Sequence, residues 1–101
     1  MTIDQAHNEK WIKDEMDRRL WLGGKWMGQI KTIGDLDKLR TVVKNLNVFL
    51  DYREKYYGIE ARAEKGALFT AQQNKDKATI EIKLNEYYKW WNENKDKAIK
   101  L

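Results

Sequence analysis

The stretch Arg18–Gln29, "RRLWLGGKWMGQ", decides the fold. It sets two tryptophans, a methionine and three glycines beside an arginine pair, with none of the polarity of an ordinary loop. On its N-terminal side Ile12, Met16 and Leu20 repeat every four residues, the spacing of one helical face. Asp14 with Arg18 and Glu15 with Arg19 add acid-before-base pairs one turn apart, which support a helix there. Glycine enters left-handed backbone without a steric penalty, so Gly23 is placed to close that helix. On this reading the first helix covers about residues 3–22, and a glycine–aromatic connector covers 23–31. Trp21, Leu22, Trp26 and Met27 then make an apolar turn that must be covered by the protein's own core, by a second copy or by a partner.

Working outward, three threonines stand three residues before an amide or acid, the spacing of a reciprocal helix cap: Thr2 with Gln5, Thr32 with Asp35 and Thr70 with Gln73. Beyond Thr32, Leu36, Leu39, Val42, Val43, Leu46, Phe49 and Leu50 form the clearest apolar stripe in the chain. The stripe predicts a helix over about 33–57 with Gly58 as its stop, or an extension to Lys65 with Gly66 as the stop. Residues 58–69 are then a connector. Ile80, Leu84, Tyr87 and Trp91 repeat at helical spacing and predict a third helix over about 71–98. The rival for residues 59–84 is a β-hairpin, because Ile80, Ile82 and Leu84 also alternate as on a strand. Ala, Glu, Lys and Gln dominate that region and favour helix. The expected fold is therefore all-α: a short N-terminal helix and a long antiparallel helical hairpin, a three-helix bundle in a single domain over 1–101.

The 101 residues suit one modest core, whose thin stability margin makes association a natural way to bury more surface. Hydrophobic residues at 42% and charged residues at 36% exclude both a disordered chain and a membrane-embedded one. The opening "MTIDQAHNEK" has no basic and apolar leader, so the expected location is the cytoplasm, with no membrane contact. The absence of cysteine removes disulfides, thiolate catalysis and zinc–thiolate sites. The absence of proline leaves long helices uninterrupted. The net charge of +4 is interspersed: 6 basic and 5 acidic groups in 1–34, 7 and 6 in 35–65, 7 and 5 in 66–101. No basic block marks an electrostatic footprint.

Bulky residues come in adjacent pairs: Val42-Val43, Phe49-Leu50, Tyr56-Tyr57, Tyr87-Tyr88 and Trp90-Trp91. Neighbours on a helix point about 100° apart, so each pair widens the apolar stripe and gives the long helices two faces to cover. Five tryptophans and five tyrosines exceed what a small core needs, and interface hot spots favour Trp, Tyr and Arg. A homo-oligomer is expected on these grounds.

Catalytic chemistry is sparse. His7 is the one histidine, and with Asp4 it makes two ligands on a helix end, too few for a metal. Asp35 and Asp37 fall in a predicted first helical turn, where acids suit the dipole. "GGKW" lacks the Ser or Thr and the spacing of a phosphate loop, and no nucleophile motif is present. The expectation is a non-catalytic binding protein without cofactor or metal, acting through protein–protein contacts as an inhibitor or adaptor and self-associating. Its candidate partner- or ligand-binding residues are Arg18, Arg19, Trp21, Lys25, Trp26, Tyr56, Tyr57, Tyr88 and Trp90. The alternatives are a nucleotide-like ligand or a nucleic acid, since tryptophan stacks on bases and arginine neutralises phosphate.

Overall fold

The computed structural model describes residues 2–101, all of whose regular structure is helical. Helix α1 spans Ile3–Gly28, α2 Leu39–Tyr57, α3 Arg62–Gln73 and α4 Lys77–Asn94, with a 3-10 turn over Ile33–Lys38 leading into α2. Four helices thus replace the three expected from the periodicity, and the β-hairpin over 59–84 does not occur.

The largest correction falls on Arg18–Gln29. The helix does not stop at Gly23; it runs on through Gly23 and Gly24 to Gly28, so the expected connector over 23–31 shrinks to the few residues after Gly28, and α1 is the longest element rather than a short one. Its 26 residues extend about 39 Å. Ile12, Met16, Leu20, Gly23 and Met27 form one continuous buried face, and the expected rung at Leu20 is followed by two more. Gly23 is tolerated inside the helix because a neighbour needs its space. A Cβ there would stand 3.3 Å from Leu46 Cδ2 and 3.4 Å from Leu84 Cδ1. α2 and α4 cover the stretch at Gly23 and Met27, while Trp21 stays 57% exposed.

The second correction concerns residues 58–76. The expected connector 58–69 is largely α3, and the expected helix 71–98 breaks at Asn74–Asp76. α3 buries a narrow face of Leu68 and Ala71, preceded by buried Ala61, so its stripe is too small to stand out in sequence. Gly66, placed in sequence as a possible stop, lies inside α3 with open space around it. Thr70 with Gln73 caps nothing. The chain turns instead at Lys75, held at φ 53°, and Asp76 starts α4 by accepting from the Thr79 amide at 3.1 Å.

Of the other signals, Glu15 pairs with Arg19 as expected, whereas Asp14 pairs with Lys10 and Arg18 with Glu15 instead of with each other. Thr2 and Gln5 form the reciprocal cap of α1 at 3.2 and 2.9 Å. At Thr32 the reciprocity is one-sided: the Asp35 carboxylate accepts from the Lys31 and Thr32 amides and the Thr32 hydroxyl, each at 3.2 Å, while the Asp35 amide bonds the Thr32 carbonyl. Those donors hold the Asp35 carboxyl below its ordinary pKa. Gly58 closes α2 in left-handed backbone, φ 71°, its amide donating to the Glu54 carbonyl.

The helices pack around one core. Contacts between α1 and α2 run antiparallel, from Trp11 beside Tyr52 to Arg19 bonded to Asn45. Those between α1 and α4 run antiparallel as well, from Asp17 at Trp91 to Ile30 at Lys77. α3 lies against both α2 and α4, closing the ring of neighbours. The resulting body measures 49 × 24 × 19 Å. Phe49, Tyr87 and Trp91 are the largest rings fully enclosed.

Candidate functional site

The residues singled out in sequence do not converge on one site; six of the nine fall into three groups, and Arg19, Trp26 and Tyr88 lie outside them. The first lies on the outer side of α1. Trp21 is 57% exposed, with the Lys25 ammonium 5.1 Å from its ring centroid. Arg18, one turn before Trp21, pairs with Glu15 at 3.4 Å and points to solvent. Trp26 and Arg19 belong elsewhere. Trp26 packs half-buried against the core, and Arg19 is fixed by Glu15 at 2.7 Å and by the Asn45 amide oxygen at 3.0 Å. Asn45 in turn donates to the Thr41 carbonyl, so this trio staples α1 to α2.

The second group is an aromatic face where the start of α1 meets the end of α2. Trp11 is 53% exposed and meets Tyr52 edge-on at 6.2 Å. Tyr52 stacks on Tyr56 at 6.0 Å with an interplanar angle of 18°, and Lys55 Nζ lies 5.2 Å from the Tyr56 ring. Only Tyr56 of these was singled out in sequence. Trp11 was missed although it stands next to Ile12 as an adjacent bulky pair. Its phase was the available signal: it precedes Ile12 and so sits about 100° off the buried face.

The third group is an aryl–arginine cluster between α2, α3 and α4. Trp90 meets Tyr57 at 5.1 Å and Phe49 at 6.1 Å, both edge-on. The indole N–H of Trp91 donates to Asp17 of α1. Arg53 enters this cluster 7% exposed, with its guanidinium carbon 5.5 Å from both the Tyr87 and the Trp90 ring centroids. Beside it the Tyr87 hydroxyl donates to Glu64 at 2.7 Å, and Lys83 pairs with the same carboxylate at 3.3 Å. The Tyr87 hydrogen bond is the main cause that holds the Glu64 carboxyl below its ordinary pKa, with Lys83 and Arg53 adding to it. Burial, then Glu64, pushes the Tyr87 phenol well above its ordinary value. Burial does the same to Tyr57 and Tyr88, with smaller contributions from Glu9 and Asp17 respectively. All three phenols stay protonated throughout the neutral range.

Arg53 was missed in sequence, although it stands seven residues after Leu46 and three after Leu50, in phase with the α2 core. Its setting is incomplete. Nε is buried without a hydrogen-bond partner, and so is the Tyr57 hydroxyl oxygen four residues on. Arg53 forms none of the ion pairs among the described residues.

Tyr88 belongs to none of these groups. Its hydroxyl donates to the Leu20 carbonyl at 2.6 Å, and a Cβ on Gly24 would come within 3.2 Å of that oxygen. Below it, a cleft of about 610 Å³ opens between α1 and α4, floored by Met27, Ile30 and Leu84 and rimmed by Lys31, Lys77, Glu81 and Asn85. Lys77 Nζ donates to the Ile30 carbonyl at 3.1 Å, closing the carbonyl end of α1.

Among the described residues no three His, Asp or Glu side chains are grouped to hold a metal ion. Among the described residues no helix is long and apolar enough to cross a membrane. The chain matches no protein-family model, no curated protein and no solved structure.

Proposed function

We propose that this chain is a non-catalytic protein-binding module that self-associates and serves as an inhibitor or adaptor of a larger assembly. The observation that supports it best is the Trp11–Tyr52–Tyr56 face. Three large rings are arranged edge-on and stacked across two helices, with Trp11 left 53% exposed. Aromatic side chains held rigid by their neighbours lose little rotamer freedom on binding, which is why such residues dominate interface energetics. On α1 Lys13 pairs with Glu9 at 3.0 Å and Lys10 with Asp14 at 3.4 Å, while the Lys55 ammonium lies 5.2 Å from the Tyr56 ring. A dilution series followed by NMR tests the assignment. Concentration-dependent shifts should centre on the Trp11 indole and the Tyr52 and Tyr56 rings; shifts confined to other surfaces would remove it.

A second reading rests on the exposed Trp21 with Lys25 over its ring and Arg18 one turn below. That arrangement suits stacking of a nucleobase with neutralisation of its phosphate. Binding to single-stranded oligonucleotides should then weaken steeply with salt and vanish in Trp21→Ala. Equal binding by that variant would end this reading.

A further inference from the structure

We propose that the open groove between α2 and α3 docks a short acidic segment of the partner protein, with an apolar side chain of that segment seated on Phe69. This rests on the protein-binding reading and adds to it a second surface, separate from the Trp11 face. The Lys65–Asp51 ion pair joins the two helices at one end of the groove. Beyond it, two clefts of about 500 and 370 Å³ adjoin through Arg40 and Gln72. In the wider one Val43, Val48 and Phe69 make the apolar wall, and Phe69 is 56% exposed. Its charged groups are Arg40 and Lys44, both exposed, and no acid lines it among the described residues. The narrower cleft adds Lys75 and Asp37. Three cations thus face one carboxylate, and none of the four forms an ion pair among the described residues. The neighbouring acids are engaged elsewhere: Asp51 with Lys65, Asp35 with Lys38, and Asp76 with Thr79 at the start of α4. The groove therefore presents two surplus positive charges beside an apolar wall.

A lone exposed phenylalanine is ordinary on a monomer. One set in a cleft between unpaired cations selects a ligand that is acidic and apolar together, because opposite charge steers the approach and the apolar wall holds the anchor. From Asp37 to Val48 the groove runs roughly 17 Å, the length of about five extended residues. A single strand of nucleic acid, the other acidic polymer, uses a ring for each of several successive bases. Phe69 is the one ring that lines either cleft, and two valines beside it suit an alkyl side chain better than a base.

The probe is a capped hexapeptide of alternating glutamate and leucine, followed by NMR at low salt. Three ligands run in parallel: the glutamine–leucine peptide without charge, the glutamate–serine peptide without the apolar anchor, and hexathymidylate. The Phe69 ring and the Gln72 side-chain amide should shift saturably with the glutamate–leucine peptide, half-way at a concentration on the order of 1 mM. Each of the other three should bind more weakly, and added salt should weaken the charged peptide as it screens the cations. Arg40→Gln/Lys44→Gln alters two exposed side chains, so the fold should survive, and should lower the affinity roughly tenfold. A flat titration up to about 10 mM, an equal response to the glutamine–leucine peptide, tighter binding of hexathymidylate, or unchanged affinity in the double variant would overturn the proposal. So would shifts centred on Trp11. Trp11→Ala/Tyr52→Ala should bind the peptide as the parent does. A failed titration therefore leaves self-association through the Trp11 face standing, and loss of self-association leaves the groove standing.

Discussion

Glycine in this chain acts in opposite ways according to what stands beside each Cα. Gly66 is inside α3 with nothing within 4 Å of a prospective Cβ. Gly66→Ala should therefore stabilise the protein by about 0.5–1 kcal/mol, the ordinary helix-propensity difference. Gly28 has the same open surroundings but sits at the last position of α1, so its gain should be smaller. Gly24→Ala should lose stability relative to Gly66→Ala by about 1 kcal/mol or more, because the methyl presses on the Tyr88 hydroxyl and its bond to Leu20. Urea unfolding midpoints of the three variants give the order directly. A second residue-scale prediction concerns acid. Glu64 has a folded pKa below its unfolded value, so its contribution is present above the ordinary carboxylate pKa and is lost as pH falls through the lowered one. Tyr87→Phe removes the main cause of that lowering, so the variant should lose less of its remaining stability than the parent between neutral and acid pH. Denaturant titrations at pH 7 and pH 3 measure the difference.

At the level of elements, the legible parts of the sequence were those with wide, bulky stripes. α2 announced itself through Leu39, Val42, Val43, Leu46, Phe49 and Leu50, all of which are buried, and Gly58 ended it as its left-handed preference requires. α1 was legible to Leu20 and then misread, because a glycine can stop a helix or admit a neighbour and only the partner's position distinguishes the two. Leu46 and Leu84 resolve that choice, and both are remote in sequence from Gly23. α3 was illegible for a different reason: two alanines and one leucine face the core, and small residues carry little periodic signal. The candidate sites followed the same divide. Tyr57 and Trp90 were brought together as neighbours in one cluster, while Arg53, which organises that cluster, was hidden in the phase of an apolar stripe. Amide hydrogen exchange tests the continuous α1. The amides of Trp21–Met27 should exchange as slowly as those of Met16–Leu20, whereas a turn at Gly23 would leave them in fast exchange.

For the whole molecule, a core shared by four helices leaves several large apolar side chains outside it: Trp11, Trp21, Phe69 and Ile82 among them. These are spread over α1, α3 and α4, but only around Trp11 do neighbouring rings build a wider apolar face. Singly exposed apolar residues are common on monomers, whereas a rigid aromatic face marks a contact surface. The central claim is that this face joins the protein to other chains, its own copies first. Sedimentation equilibrium of the 12.1 kDa chain, run alongside the Trp11→Ala/Tyr52→Ala double variant, tests it most directly. The account predicts that the parent's average mass rises above that of one chain as concentration increases, and that the folded double variant stays at one chain. A parent that remains a single chain up to about millimolar concentration, the range of weak association, or a double variant that associates as well as the parent, would contradict it.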